Sequence, residues 1–405
     1  MIRNLFIKNS IPKEHLNQNI LKKFTKNLKQ VLKKIKKEIY LPNKTLNILN
    51  EKFKINFNVK DLKRFKKFQT IALIGMGGSI LGTEALHNSL FDKIKKKIYF
   101  FDNLDENKIS RFKKKENFSK ILFIVISKSG NTVETLSNVF ALNILKKNSK
   151  NIIIISEKKN NLLFSISKKL NLHYIEHKNY IGGRYSVLSE VGIVPAYLMG
   201  IQINKLRFNH LKFLSEKKSN PLRKDIIKIA SLMNSKKFNN LIFLNYSPEL
   251  EKFLYWAQQL KAESLGKKNK GFLPVISNVP KDHHSLLQLY LDGPKDKYFY
   301  IFSCRKKQSK KINLKKSLNI KNYLNKKNLS NIKNAQKNAL LKAFKEKKIP
   351  FREFRLNSIN EETLGKLFAL FIIETVIVGN LLKINPFDQP AVEKVKDYTK
   401  QFLVK

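Results

Sequence analysis

The sequence predicts an α/β fold in which two doubly wound parallel sheets are flanked by a helical extension at each end. From about residue 69 onward, short apolar runs bounded by turn residues alternate with helical stretches. The same alternation resumes after residue 240. Strands that are apolar almost throughout are typical of parallel sheets covered by helices on both faces. Two such series along one chain indicate two units of similar architecture.

The N-terminal extension, residues 1–65, is rich in lysine, and its apolar residues recur at helical spacing, as in Leu16–Ile39. The first α/β unit follows it. Its predicted strands are Thr70–Ile74, Lys97–Phe101, Ile121–Ser127, Asn151–Ser156 and Leu172–Glu176, and its predicted helices include Ile80–Leu90, Val133–Lys146 and Leu162–Leu170.

A predicted helix over Arg184–Gly200 leads out of the first unit, and the helices Phe208–Leu214 and Asp225–Met233 precede the second. The predicted strands of the second unit are Leu241–Tyr246, Leu273–Ile276, Tyr298–Ser303 and Pro350–Arg355, with helices at Glu249–Ser264 and Asn334–Lys345. The predicted organisation is therefore a helical segment over residues 1–65, a first domain over 66–200, a second over 201–384, and a helical segment over 385–405.

The chain has 405 residues and a formal net charge of +51, yet its composition does not favour nucleic acid as a specific partner. The basic residues are mostly lysines spread along the whole length. Sequence-specific readers of nucleic acid rely more on arginine, whose planar fork pairs with bases and phosphates. The segment Arg305–Lys345 contains no acidic residue. We interpret it as a solvated surface connection, with a polyanion-binding arm as the alternative.

Cysteine content and hydropathy indicate a cytoplasmic protein without a membrane partner. Cys304 is the only cysteine, so no intramolecular disulfide can form, and this fits a reducing compartment. The opening residues, MIRNLFIKNSIPKEHL, lack the long apolar core of a signal peptide. The longest apolar runs, such as Phe368–Ile373, are too short to cross a bilayer.

Two loops in the first unit have the composition of anion-binding turns. The segment Gly75–Ser79 (GMGGS), here called the glycine nest, lies between a predicted strand and a predicted helix. Its glycines let backbone amides approach an anion, and Ser79 fits a helix N-cap with a hydroxyl free to face a phosphate. The dinucleotide fingerprint and the P-loop are both excluded, because Ile80 stands where the former needs glycine and no Gly-Lys pair follows.

The second such loop, Ser127–Thr132 (SKSGNT), is here called the hydroxyl nest. It combines the hydroxyls of Ser127, Ser129 and Thr132 with the ammonium of Lys128 at the start of a helix. A capping box would use one hydroxyl and leave the others without a purpose, so we interpret the loop as a phosphate or oxyanion nest. Because the carboxyl ends of parallel strands meet at one edge, both nests should serve one ligand, a phosphate compound without a nucleotide base.

Charged residues farther along supply candidates for proton transfer. Arg184 follows two glycines at a predicted helix start and can stabilise an oxyanion. Gln259 and Glu263 are four residues apart on a predicted helix and therefore share a face, and Glu263 is a candidate general base. The adjacent pair His283 and His284 precedes another helix, and histidine titrates near neutrality.

The C-terminal segment NPFDQPAVEKVK has two prolines that make a rigid turn and aim Gln389 and Lys396 in fixed directions. One motif is set aside. The spelling His173-Tyr-Ile-Glu176-His177 matches an H-x-x-E-H zinc motif, but that motif needs a helix and this segment has strand composition. We expect no metal and no cofactor.

Six sequence features resemble the successive signatures of the glucose-6-phosphate isomerase family. They are GMGGS, SKSGNTVET, GGRYSVLS, ESLGK, a histidine before SLLQL, and NPFDQPAVEKVK. The resemblance spans roughly residue 69 to the C-terminus and implies two sugar-isomerase domains. It also implies reversible conversion of glucose 6-phosphate to fructose 6-phosphate through a cis-enediol(ate), as in glycolysis and gluconeogenesis, without metal or cofactor.

By this resemblance, Glu263 moves the proton between C1 and C2, and Arg184 stabilises the intermediate. His284 opens the sugar ring with help from Lys396, and the family's use of a neighbouring subunit's histidine implies a homodimer. The remaining implied roles are phosphate binding by Gly78, Ser79, Ser127, Lys128, Ser129 and Thr132, and substrate contact by Gln259 and Gln389. The chain departs from the family pattern at Ser129 and Asn131 (usually threonine), Leu265 (usually asparagine) and Val395 (usually glycine).

Three alternatives remain open at the level of sequence. The first is a dual isomerase that also accepts mannose 6-phosphate. The second is a non-catalytic sugar-phosphate sensor, although the candidate residues Glu263, His284 and Lys396 are all present and no clear DNA-binding helix pair precedes them. The third is an additional polyanion-binding role of the lysine-rich surface, which would have to persist at physiological salt.

Overall fold

The structure is a computed structural model, and it describes residues 4–208, 210, 221–305, 310–313 and 323–404. The strands within these residues are β1 (Leu5–Ser10), β2 (Thr70–Gly75), β3 (Lys97–Phe101), β4 (Ile121–Ile126), β5 (Ile152–Ser156), β6 (His173–Glu176), β7 (Asn240–Asn245), β8 (Leu273–Asn278), β9 (Lys297–Cys304) and β10 (Phe351–Leu356).

The helices within the same residues are α1 (Gln18–Tyr40), α2 (Val59–Leu62), α3 (Leu81–Ser89), α4 (Glu106–Lys115), α5 (Val133–Leu142), α6 (Leu162–Lys169), α7 (Glu190–Leu198), α8 (Ile203–Leu206), α9 (Pro221–Asn234), α10 (Glu251–Leu265), α11 (His283–Asp292), α12 (Leu329–Glu346), α13 (Glu361–Leu381) and α14 (Glu393–Val404). Most of the predicted helix Phe208–Leu214 and part of Arg305–Lys345 lie outside the described residues.

The first unit is a five-stranded sheet in the order β3-β2-β4-β5-β6, with every neighbouring pair parallel. The chain passes from β2 outward to β3 and then returns to β4 on the other side of β2. This reversal of strand order makes a topological switch point at the carboxyl ends of β2 and β4, where open α/β sheets bind ligands. The two nests follow these two strands directly.

The second unit is a five-stranded sheet in the order β1-β10-β9-β7-β8. Four of its strands are parallel, and β1 is an antiparallel edge strand that pairs with β10, with Leu5 opposite Leu356. The reading of residues 1–65 as helical is therefore wrong at Leu5–Ser10. Period-2 alternation is weak in this short lysine-containing stretch, and its pairing partner lies at the other end of the chain.

The main hydrophobic core lies between the two sheets and is shared by both units. One face of the first sheet, with Ile71 and Leu73, and one face of the second, with Phe243 and Phe302, contribute to it. The outer face of each sheet packs against its own helices in a smaller core. Burial on both faces explains why the strands are apolar almost throughout.

Helix α13 runs through this shared core. It is long and apolar enough to cross a membrane by length and composition, but 94% of its most apolar window is buried inside the protein. Such burial is typical of a core helix. The sequence shows an apolar run at Phe368–Ile373, but its pattern alone does not predict a helix of 21 residues.

Candidate functional site

The glycine nest is closed against the loop that carries Arg184. A Cβ atom added to Gly78 would lie 2.2 Å from the carbonyl carbon of Gly183 and 2.5 Å from the backbone nitrogen of Arg184. Only glycine permits so close an approach of two backbones. Gly77–Ser79 form a 3-10 turn, and α3 begins after Ile80, so Ser79 is not the helix N-cap that the sequence suggested. Its buried hydroxyl is therefore not used for capping.

The hydroxyl nest gathers its side chains around one position. The Oγ1 atom of Thr132 lies 2.8 Å from Oγ of Ser127 and 3.4 Å from Oγ of Ser129. Thr132 occupies the N-cap position of α5 but makes no side-chain capping bond. The capping explanation therefore fails for Thr132. The hydroxyls form hydrogen bonds with one another. A bound anion can instead accept these hydrogen bonds.

The hydroxyl nest is fixed by the loop that follows β5. Gly130 has a φ of +70°, and a Cβ there would lie 1.7 Å from Oδ1 of Asn161, so this position requires glycine. Asn131, one of the departures from the family pattern, accepts a hydrogen bond of 2.9 Å from the backbone N–H of Leu162 at the start of α6. Asparagine thus joins the nest to a neighbouring helix.

Lys128 supplies the cation of the hydroxyl nest. Its Nζ atom lies 3.6 Å from Oε1 of Glu157, and Oε2 of Glu157 lies 2.5 Å from Nζ of Lys159. Burial lowers the pKa of Lys128, the carboxylate of Glu157 opposes this, and the positive charges of Lys159 and Arg184 add to the lowering. The glycine nest follows β2, the neighbour of β4, and packs directly on the loop of Arg184, so both nests and the arginine lie at the same end of the first sheet.

Arg184 is the most completely bonded side chain of the site, although it lies in a 3-10 segment, Gly183–Leu188, and not at the head of the helix the sequence predicted. It is 2% exposed. Its donors and their acceptors are Nε to Ser264 Oγ (2.8 Å), Nη1 to Glu263 Oε2 (3.1 Å) and to Gln389 Oε1 (2.6 Å), and Nη2 to the carbonyls of Pro386 (2.7 Å) and Asp388 (3.0 Å). All five guanidinium N–H groups therefore have an acceptor.

Glu263 lies on the last turn of α10, and its carboxylate is held from two sides. Oε2 accepts from Arg184, and Oε1 accepts a hydrogen bond of 2.9 Å from Nε2 of Gln259, as the spacing of four residues predicts. Oε1 of Gln259 is buried and has no hydrogen-bond partner among the described residues. A buried amide oxygen without a donor is costly, and a substrate hydroxyl would supply one.

Several residues that the sequence reading missed hold this arrangement. Ser264, fully buried, links Arg184 to the hydroxyl of Tyr185 at 2.8 Å. Trp256 donates to the backbone carbonyl of Arg184 at 3.1 Å. Nζ of Lys267 donates to the Asn385 carbonyl and to both the carbonyl and the carboxylate of Asp388. Three of these, Ser264, Lys267 and Tyr185, stand inside quoted motifs, and that position was the available signal.

Leu265, the departure from the family pattern next to the base, is 1% exposed and belongs to the main core. A Cβ added to Gly379 on α13 would lie 3.5 Å from its Cδ2 atom. Leucine therefore packs α10 against α13 through an apolar side chain. Val395, by contrast, is 64% exposed on α14.

His284 and Lys396 are not brought to Glu263 within the single chain. His284 is exposed on the first turn of α11, whereas the half-buried His283 lies 3.1 Å from the hydroxyl of Tyr246. Lys396 is exposed on α14 and pairs with Glu393 at 2.7 Å. Helix α14 has no buried residue. The structure thus assembles one part of the predicted site and leaves these two side chains on the surface.

The histidines of the H-x-x-E-H spelling have other contacts. His173 lies on β6 with its Nδ1 atom 2.8 Å from Nη2 of Arg64. His177 is buried beside the carbonyl of Lys178, and burial lowers its pKa to about 4. Within the described ranges there is no group of three His, Cys, Asp or Glu residues placed to hold a metal ion.

A doubly wound sheet whose switch point carries the glycine nest and the hydroxyl nest, beside a carboxylate bonded to arginine, is the architecture of the phosphosugar isomerase fold. Comparisons with known proteins agree. The family model described as phosphoglucose isomerase matches residues 52–405. The chain belongs to the phosphoglucose isomerase family, and it is an isomerase.

Two relatives and one solved structure illustrate the similarity. The glucose-6-phosphate isomerase of Methanocaldococcus jannaschii is 32% identical over 356 residues, covering 84% of this chain and 85% of that protein. The glucose-6-phosphate isomerase of Mycoplasmopsis pulmonis is 30% identical over 413 residues, covering 94% and 95%. A glucose-6-phosphate isomerase from Chlamydia trachomatis has a similar fold, with a TM-score of 0.79 at 16% identity over 100% of this chain and 89% of that one.

Proposed function

We propose that the protein interconverts glucose 6-phosphate and fructose 6-phosphate, with Glu263 as the proton-transferring base. The observation that carries the proposal is the direct contact of the Glu263 carboxylate with Arg184 and Gln259. Arg184 lies on the loop that packs against the glycine nest. Moving a proton between carbons next to a carbonyl needs a positioned carboxylate and a cation near the developing enediolate oxygen. This pair supplies both.

The two nests hold the phosphate in this proposal. Backbone amides of the glycine nest, the three hydroxyls of the hydroxyl nest and Lys128 all lie at the switch point of the first sheet. Binding energy from the non-reacting phosphate then orients C1 and C2 against Glu263. Gln259 and Gln389 contact sugar hydroxyls. The residues of this site need no cofactor for the reaction.

The proposal is tested by coupled turnover of fructose 6-phosphate, in the presence of a chelator, with the wild type and Glu263→Gln. Glutamine keeps the acceptor that Arg184 contacts but cannot take a proton, so we expect turnover to fall by about a thousandfold or more. Glu251→Gln, at the first turn of the same helix, is the matched control and should retain activity. Unchanged turnover in Glu263→Gln would show that the base is another residue.

We further propose a homodimer in which His284 completes the site of the neighbouring subunit. Both His284 and the C-terminal helix are exposed in the single chain. Val395, Tyr398 and Phe402 present apolar surface at helical spacing on α14, and an apolar face of this kind marks an interaction surface. Lys396 on the same helix would approach the ring oxygen once the helix is packed.

The dimer is tested by mixing two inactive variants, Glu263→Gln and His284→Ala, under conditions that exchange subunits. If His284 acts across the interface, half of the heterodimer sites contain both native residues. Random pairing in a two-fold dimer then restores about one quarter of wild-type activity. If His284 acts within its own chain, every site lacks one residue and mixing restores nothing. Sedimentation of the unmixed protein gives the oligomeric state independently.

We propose domain boundaries at residues 66–200 and 201–384 and a cytoplasmic location, in keeping with a sequence whose only cysteine is Cys304. Activity on mannose 6-phosphate is the second candidate function, because the same nests and the same base serve an epimeric hexose. Turnover of mannose 6-phosphate by the wild type decides it. If the wild type binds sugar phosphates without turning them over, the non-catalytic sugar-phosphate sensor is favoured instead.

A further inference from the structure

Glu157 is a buried carboxylate at the hydroxyl nest to which no role has been assigned above. It follows β5 directly and is 6% exposed. The backbone N–H of Glu157 donates to the carbonyl of Lys128 at 3.1 Å, and the backbone carbonyl of Glu157 accepts from Nδ2 of Asn161 at 2.8 Å. The residue is therefore fixed to the nest by its backbone as well as by its side chain.

The carboxylate of Glu157 opposes the only ammonium of the hydroxyl nest. Oε1 lies 3.6 Å from Nζ of Lys128, whose side chain is 32% exposed. The second oxygen pairs with Lys159, which is 55% exposed and lies toward solvent. An anion bound to the nest hydroxyls and Lys128 therefore meets an ammonium whose charge is partly offset by a fixed, buried carboxylate, and that carboxylate is shared between Lys128 and Lys159.

The phosphate is common to substrate and product of the proposed isomerisation. The charge attraction between Lys128 and the phosphate, unlike the positioning of C1 and C2, stabilises the ground states and the transition state equally. Such uniform binding lowers KM without raising kcat, and it slows release once the nest binds too tightly. A negative charge beside Lys128 weakens the phosphate binding that substrate, transition state and product share. It leaves the contacts at Glu263 unchanged.

We propose that Glu157 sets the phosphate affinity of the hydroxyl nest by partly neutralising Lys128 and repelling the bound dianion. It thereby keeps substrate binding and product release in balance. This inference rests on the proposed function, since it takes the nest to be the phosphate site. Glu157 contacts Lys128 and not the reacting carbons, so it is a determinant of affinity and not a catalytic residue.

The test compares the wild type with Glu157→Gln, an isosteric change that removes only the charge. Calorimetry with inorganic phosphate gives Kd, and steady-state kinetics give KM and kcat for glucose 6-phosphate and fructose 6-phosphate. We expect the phosphate Kd and both KM values to fall together by about tenfold, the size expected for one partly screened charge near the surface. The value of kcat should not rise.

Glu176→Gln is the matched control. Glu176 is an exposed carboxylate at the carboxyl end of β6, the neighbouring strand, so its loss changes the net charge equally without touching Lys128. Its phosphate Kd should equal that of the wild type. Glu157→Ala is a second neutral variant, and it should bind phosphate more tightly for the same reason. Urea unfolding of each variant verifies that it is folded at the assay temperature.

Two results would overturn the inference in distinguishable ways. If the wild type binds phosphate and both neutral variants bind it equally or more weakly, Glu157 merely positions Lys128, and the proposed function is unaffected. If the wild type turns over sugar phosphates but inorganic phosphate does not bind or inhibit, the nest is not the phosphate site. A common fall in Kd and both KM values, absent in Glu176→Gln, supports the inference.

Discussion

Replacing Arg184 by lysine tests whether the guanidinium geometry, beyond its charge, builds the site. All five N–H groups of Arg184 have acceptors, and the side chain is 2% exposed. A lysine ammonium has three N–H groups, so at least two of these acceptors lose their donor. With roughly 1.5–3 kcal/mol for each hydrogen bond to a charged group, Arg184→Lys should lower the free energy of unfolding by about 3–6 kcal/mol.

Activity should fall further than stability alone explains. Nη1 of Arg184 joins Glu263 to Gln389, and its loss leaves the developing enediolate without a fixed donor. Removing one such donor costs enzymes about a hundredfold to a thousandfold in kcat. The assays are urea unfolding and coupled turnover of fructose 6-phosphate, the latter well below the unfolding transition.

Arg207→Lys is the matched control for this experiment. Arg207 is also partly buried, but it donates to the backbone carbonyls of Leu188 and Asn50, two acceptors that one ammonium can still serve. We expect a smaller loss of stability and wild-type turnover. An Arg184→Lys protein with wild-type kcat/KM and wild-type unfolding free energy would refute the argument from donor number.

Two further predictions concern a close backbone contact and a buried carboxyl. Gly78→Ala should abolish phosphate binding and turnover, because its Cβ would lie 2.2 Å from a Gly183 backbone atom, whereas Gly182→Ala, with its nearest contact at 3.4 Å, should retain both. Equal activity of the two variants would contradict this. Burial raises the pKa of Glu84 from 4.5 to about 7. Between these two pH values the folded state binds more protons than the unfolded state, so the free energy of unfolding falls as pH rises through this range. Glu84→Gln should remove up to about 3 kcal/mol of this fall between pH 5 and pH 8, measured by urea unfolding, and an unaltered pH profile would exclude the effect.

The sequence by itself determined the strand–helix series and the loops that bear the site. Strand β3 coincides with its predicted span, Lys97–Phe101, and β2 and β10 are each within one or two residues of prediction. Local hydrophobic pattern is sufficient here, because a strand buried on both faces must be apolar throughout. The same holds for Gln259 and Glu263, whose contact follows from helical periodicity alone.

Only the tertiary structure decided which distant groups complete these local features. The pairing of β1 with β10 joins the two ends of the chain, and no local pattern specifies such a partner. By contrast, the pairing of the Thr132 hydroxyl with that of Ser127, five residues earlier, is a contact within one loop.

The acceptors of Arg184 come from α10 and from the loop at residues 386–389, which the chain separates by more than a hundred residues. Glu157 is the same kind of case. It lies in no recognisable motif, and only the adjacency of β4 and β5 places its carboxylate beside Lys128. Hydrophobic periodicity is a local property of the chain, whereas the position of a charge in a site depends on which strands become neighbours, and that is settled by packing of the whole core.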